Sequence, residues 1–226
     1  MKIPELNINE EDVLKGQGAD PRVISGRKPM LFDIARKALN MGFPLLEPVV
    51  FHRTLDVISS REGEIFLEDG FSIKSRMINR AMPNAQSVEM VICSIGNYLE
   101  DLSAEFFKKD LSLSLAFDGL ANAAVDHLVE AVCDILEKKA AGAGMEMSIP
   151  VGPGSSEWSL EEGQPLLFQA VKPNPSVIKL NESCLMMPRK SASFMVGLGK
   201  NFPERAKSCE YCNLREICRY KIRKEK

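Results

Sequence analysis

The sequence predicts an α+β protein built on an antiparallel sheet, and three observations carry that prediction. Strand-like and helix-like segments are interleaved without a regular strand–helix repeat. No glycine-rich nucleotide fingerprint follows any strand-like segment. No internal repeat runs along the 226 residues. That length fits one large domain, or one domain with an appendage. The hydrophobic content of 45% and the charged content of 27% are those of an ordinary globular protein with a useful core.

The elements follow in order. Asn9-Glu10-Glu11-Asp12-Val13-Leu14 reads as a short helix within 8–18, stopped by Gly16 and Gly18. Pro29 to Met41 is a better helix: proline suits its first turn, Leu31, Ile34, Ala35, Ala38 and Leu39 share a face, and Gly42 ends it. Pro44 to Pro48 is extended. Val49 to Leu55 and Glu64 to Leu67 are strand-like, and Asp69-Gly70 is a turn signal. Ile73 to Ala81 is assigned as helix, Ser87 to Ile95 as a buried strand, and Asn97 to Lys109 as helix after Gly96.

Leu113 to Lys139 is the longest element. Its apolar and small residues keep the helical period, and Gly142 and Gly144 terminate it. Ala116, Gly119, Ala121, Ala123 and Ala124 leave room for another element to pack closely. Met145 to Pro150 returns as a strand, Leu160 to Val171 is a helix, Ser176 to Leu180 is a short strand, and Leu185 to Gly197 contains another apolar strand.

Charge and termini narrow the function. The net charge of -2 gives no bias toward nucleic acid or an anionic membrane. No apolar run approaches the roughly 20 residues of a membrane helix. Met1-Lys2-Ile3-Pro4-Glu5 lacks an apolar signal core, which points to a cytoplasmic protein.

The segment 149–197 holds the candidate ligand site. Pro150-Val151-Gly152-Pro153-Gly154 is a loop whose backbone can approach a ligand, and Trp158 stands at its end. Ser159 precedes Glu162 by three residues, the spacing of a capping box, so a helix N-terminus adjoins the loop and suits an anionic or zwitterionic ligand. The same features also describe a plain tight loop between a strand and a helix. Glu182-Ser183 can hold a ligand amine by charge-assisted hydrogen bonds, or Glu182 can pair with Arg189 or Lys190. His127, on the inner face of the long helix, reads as a satisfied core histidine.

From Asn201 the character changes. Residues 205–226 carry eight Lys or Arg against three Glu, and Cys209, Cys212 and Cys218 are spaced as metal-binding thiolates. Residues 1–200 are accordingly assigned as one domain and 201–226 as a basic, Cys-rich metal-binding tail. An iron–sulfur cluster suits three cysteines with one iron left open, structural zinc is the alternative, and a redox or metal-free role stays open. A fourth ligand would come from Cys184, Cys93, Cys133, His52 or His127.

Leu180-Asn181-Glu182-Ser183, followed by Met186, Pro188, Ser191 and Ser193, resembles the C-terminal activation domain of cobalamin-dependent methionine synthase. It is still more similar to stand-alone bacterial and archaeal relatives of that domain. Val13-Leu14-Lys15-Gly16-Gln17-Gly18, Cys93-Ser94-Ile95-Gly96, Asp118-Gly119-Leu120-Ala121 and Pro153-Gly154 look like further pieces of the family pattern.

The resemblance implies a twisted antiparallel sheet flanked by helices. It implies binding of S-adenosylmethionine opposite a cobalamin carried by a partner, either a corrinoid protein or a cobalamin-dependent methyltransferase, whose reductive activation the protein supports. By position it assigns Gly154, Glu182 and Ser183 to the ligand. The family's arginine and tyrosine around that glycine are replaced by Pro150 and Ser155, which leaves Trp158 as the aromatic face for a sulfonium. Two other readings are a component of a minimal methionine synthase without a redox role, and a non-enzymatic binding module with a zinc-stabilised tail.

Overall fold

The structure, a computed structural model, describes residues 3, 5–61, 63–154 and 158–202. Its centre is a six-stranded antiparallel sheet in the order β3-β2-β1-β4-β8-β5. The strands are β1 (Val49–Arg61), β2 (Glu64–Leu67), β3 (Ser72–Lys74), β4 (Ala85–Ser94), β5 (Glu146–Met147) and β8 (Ser191–Gly199). A separate hairpin pairs β6 (Lys179–Leu180) with β7 (Met186–Met187). The predicted fold class is the observed one.

β4 is central because both of its faces are covered. Val88, Met90 and Ile92 point into one core, Val91 and Cys93 into the other, and all are buried. Such a strand reads as a continuous apolar run rather than an alternation. One face of the sheet is covered by α1 (Glu10–Gly16), α3 (Met30–Gly42), α5 (Tyr98–Phe106) and α6 (Leu111–Gly142). The other is covered by α7 (Leu160–Val171), with Leu167, Ala170 and Trp158 in its core.

The 32-residue α6 is the axis of the helical layer, and α1 crosses it at glycines. A Cβ on Gly16 would lie 2.1 Å from the Gly119 carbonyl oxygen, so only two bare backbones allow that approach. Asn9 and Asp12 cap α1 reciprocally, and Asp110 caps α6.

Several sequence assignments shift. Residues 73–81 are the end of β3 followed by α4 (Arg76–Ala81), because Ser75 caps a helix there. A further helix, α2 (Pro21–Arg27), was not expected, although Asp20 as cap and Pro21 at the first position announce it. β1 runs on to Arg61, past the expected Leu55, and its register shifts between Val57 and Ser59. The strand expected over 145–150 is reduced to the two residues of β5 and a bridge at Val151.

Candidate functional site

The segment Pro188–Ser193 leads into β8 and is tied on every side. The Lys190 ammonium donates to Asp118 Oδ1 at 2.6 Å and to Asn122 Oδ1 at 2.7 Å, both on α6. Asn122 in turn donates to the Gly16 carbonyl of α1 at 2.9 Å. The backbone N–H of Lys190 and the Arg189 guanidinium share the Glu100 carboxylate of α5, at 2.9 and 2.8 Å. The Lys190 carbonyl accepts from the Ile95 N–H and the Ser94 hydroxyl. Stretches far apart in the chain, around Gly16, Ser94-Ile95, Asp118 to Asn122 and 188–193, are thus linked through the backbone and side chain of Lys190, whose side chain is 16% exposed.

A cavity of about 470 Å³ opens beside this network. Gly16, Asn122, Asp126, Arg189, Lys190 and Ser191 line it. The Asp126 carboxyl is pushed up from its ordinary range, first by burial and then by Glu130, with His127 opposing. A carboxyl held in that state favours a cationic group placed next to it. Sequence reading named Asp118 but missed Asn122, Asp126 and Lys190 as site residues. The available signal was the spacing of Asp118, Asn122 and Asp126, four residues apart and so on one face of the long helix.

The loop before α7 lies along β8. Val151 exchanges two backbone hydrogen bonds of 2.9 Å with Met195, and Gly152 approaches the Ser193 carbonyl. Gly154, at φ +85°, turns the chain so that its N–H reaches the Trp158 carbonyl at 2.8 Å. Trp158 is 2% exposed and packs against Gly163 of α7, so its ring belongs to the core beneath the loop. Ser159 caps α7 through the Glu162 N–H, as expected.

Glu182 and Ser183 do not sit on a strand. They occupy the tip of the β6–β7 hairpin, where Asn181 Oδ1 accepts from the N–H groups of Ser183 and Leu185 and Cys184 adopts φ +58°. An Asn side chain that binds two backbone donors makes a turn and ends strand pairing. Both side chains are exposed. Glu182 pairs with neither Arg189 nor Lys190, because Glu100 and Asp118 hold those.

Cys209, Cys212 and Cys218, with the rest of the tail from 203 on, lie outside the described residues. Of the five residues considered as a fourth ligand, Cys93 is wholly buried and its thiol is pushed up to about 12 by burial. Burial likewise takes Cys133 to about 11. Both shifts disfavour the thiolate that a metal needs. His127 Nε2 stands 3.5 Å from Asp12 across the α1–α6 contact. His52 Nδ1 lies 2.5 Å from the buried Glu89, which also accepts from Thr54. Cys184 is half-buried at the hairpin tip. Among the described residues, no three His, Cys, Asp or Glu side chains group as a metal site. Nor is any helix among them long and apolar enough to cross a membrane.

No protein-family model matches the chain, and no curated protein matches it in sequence. Among solved structures it is similar to the MetH reactivation domain bound to AdoHcy. The identity is 12%, the match covers 88% of this chain and 75% of that one, and the TM-score is 0.61. At that identity the likeness establishes a shared fold.

Proposed function

We propose that this protein is an accessory of cobalamin-dependent methyl transfer. It binds an S-adenosyl ligand beside the start of β8 and presents it to a corrinoid protein or a methionine synthase-type methyltransferase, whose reductive activation it supports. The observation that carries the reading is the cavity lined by Gly16, Asn122, Asp126, Arg189 and Lys190, where three separated segments of the chain meet, in the fold of a domain crystallised with AdoHcy.

In this reading Asp126 and Asn122 receive the ammonium end of the ligand, by charge and hydrogen bonding. The Gly154 loop and the Glu182-Ser183 tip border the remainder, and Trp158 supports the loop from below. A cavity of this volume suits a small molecule. The test is calorimetric titration with S-adenosylmethionine and S-adenosylhomocysteine. One-to-one binding, weakened about tenfold in Asp126→Asn, is the expected result. Absence of heat with both compounds sinks the ligand assignment.

Residues 201–226 form the metal-binding tail in this proposal. Cys209, Cys212 and Cys218 hold an iron–sulfur cluster that passes an electron to the partner's corrinoid. Protein purified without oxygen then contains iron and acid-labile sulfide, and Cys209→Ser loses both along with reactivation of an oxidised corrinoid partner. Stoichiometric zinc in their place makes the tail structural.

A further inference from the structure

Where β1 begins and β4 ends, the sheet carries another cavity, of about 380 Å³, which shares no lining residue with the one beside Lys190. Pro188 lines this one, and Arg189, Lys190 and Ser191 line the other, so the entry segment of β8 runs between them.

Its lining is lopsided in a way that selects a ligand. Among the described residues, Glu47 is the only charged one in its lining. The Glu47 backbone is fixed by its N–H to the Ile95 carbonyl, and its side chain lies beside Gly96, close to where a Cβ there would stand. The carboxylate pairs with no described cation. Asn97 spends its amide N–H on Asp101, and its Oδ1 meets no donor among the described residues. Ser176 bonds through its backbone N–H to Asn174, and its hydroxyl has no described partner. Ser94, 1% exposed, already accepts from the Gly96 N–H and donates to the Lys190 carbonyl. The site therefore offers a negative charge and open acceptors, against apolar walls that include Pro48, Val177 and Pro188.

That inventory excludes whole ligand classes. With no Lys or Arg among the described lining residues, a carboxylate or phosphate finds no counter-charge there. With no aromatic ring among the described lining residues, a sulfonium or quaternary ammonium lacks the face that attracts it. A primary ammonium meets both demands, since it carries the charge and three N–H donors. We propose that this cavity binds an alkylammonium group, with the nitrogen on Glu47 and Asn97 and a short aliphatic arm against Pro48, Val177 and Pro188. The assignment stands independently of the S-adenosyl reading.

The experiment is an amide NMR titration of the ¹⁵N-labelled full chain at pH 7 and constant ionic strength. The probes are n-butylamine, tetramethylammonium and butyrate. Butylammonium is expected to give saturable shifts at Gly96, Asn97 and Val177. In Glu47→Gln its affinity falls about tenfold, as for loss of a charge-assisted bond, while the remaining amide spectrum is unchanged because Glu47 is exposed. A peptide with one internal lysine, run in parallel, separates a free amine from a partner's lysine side chain as the source; tighter binding of either supports the site. No saturable shift with either ammonium probe, undiminished binding by Glu47→Gln, or equal binding of tetramethylammonium or butyrate overturns the proposal.

Discussion

One continuous sequence motif, 180–193, divides in the structure into two halves with opposite character. The second half, Pro188 to Ser193, is held by hydrogen bonds to α5, α6 and β4, from residues as far as 96 positions away. The first half, the β6–β7 hairpin, is closed by bonds within itself, from Asn181 to Ser183, Cys184 and Leu185. The anchored half belongs to the core and sets the geometry of the cavity. The hairpin tip has exposed side chains, so its residues are free to be chosen for a ligand or partner rather than for stability.

The strongest way to break the contrast is to separate α1 from α6. Gly16→Val places side-chain atoms where the Gly119 carbonyl stands. Overpacking of this kind costs on the order of 3 kcal/mol, or roughly 6–12 °C in melting temperature for a chain of this size. It also displaces Asn122 and Lys190, so ligand binding goes with it. A melting curve close to that of the parent protein refutes the close glycine contact.

Next comes the anchor itself. Lys190→Met leaves Asp118 and Asn122 without their shared donor. Asp118 is 49% exposed, so solvent takes up part of that loss. The expected cost is about 1–2 kcal/mol in urea denaturation. A double-mutant cycle with Asp118→Asn should show coupling of about 1 kcal/mol, and additivity within error argues against the pair.

The third prediction concerns pH. Because the Asp126 carboxyl is raised, the folded protein keeps that proton to higher pH than the unfolded chain does. Its contribution is therefore most favourable below the ordinary value of 3.8 and is lost as pH rises through the folded value. Asp126→Asn should flatten the pH dependence of stability above the ordinary value of 3.8, and should remove any gain in ligand affinity over the same interval. An identical pH profile for the variant contradicts the shift.

The smallest expected effect lies at the hairpin tip. Glu182→Gln and Ser183→Ala should change stability by less than about 0.5 kcal/mol. If the tip borders the ligand, affinity nevertheless falls severalfold. A loss of stability comparable to that of Lys190→Met erases the distinction between the two halves.

Much of this architecture was readable in advance, element by element. The helix at 160–171 and the buried strand near 87–95 were placed almost to the residue, because an apolar period and a Ser or Gly boundary are local signals. The small residues of α6 correctly announced a close neighbour. The short strand expected to end at Leu180 is present as β6, but its pairing with Met186 and Met187 was not foreseen, because it depends on the turn that Asn181 closes by accepting from the N–H groups of Ser183 and Leu185. The contacts of Lys190 and Asn122 were not legible because each depends on a partner tens of residues away.

By itself, then, the sequence determined the α+β class, the long helix with its small-residue stripe, the capped start of α7 and the buried central strand. Each of these follows from periodicity and capping within one turn or one strand. Only the tertiary structure decided which segments share a cavity, which charges neutralise one another, and that Trp158 lies in the core while Glu47 faces an open cavity. Those outcomes depend on the crossing of α1 over α6 and on β8 lying between β4 and β5. No local pattern encodes such long-range geometry, because burial and charge pairing are properties of neighbours that the chain brings together only on folding.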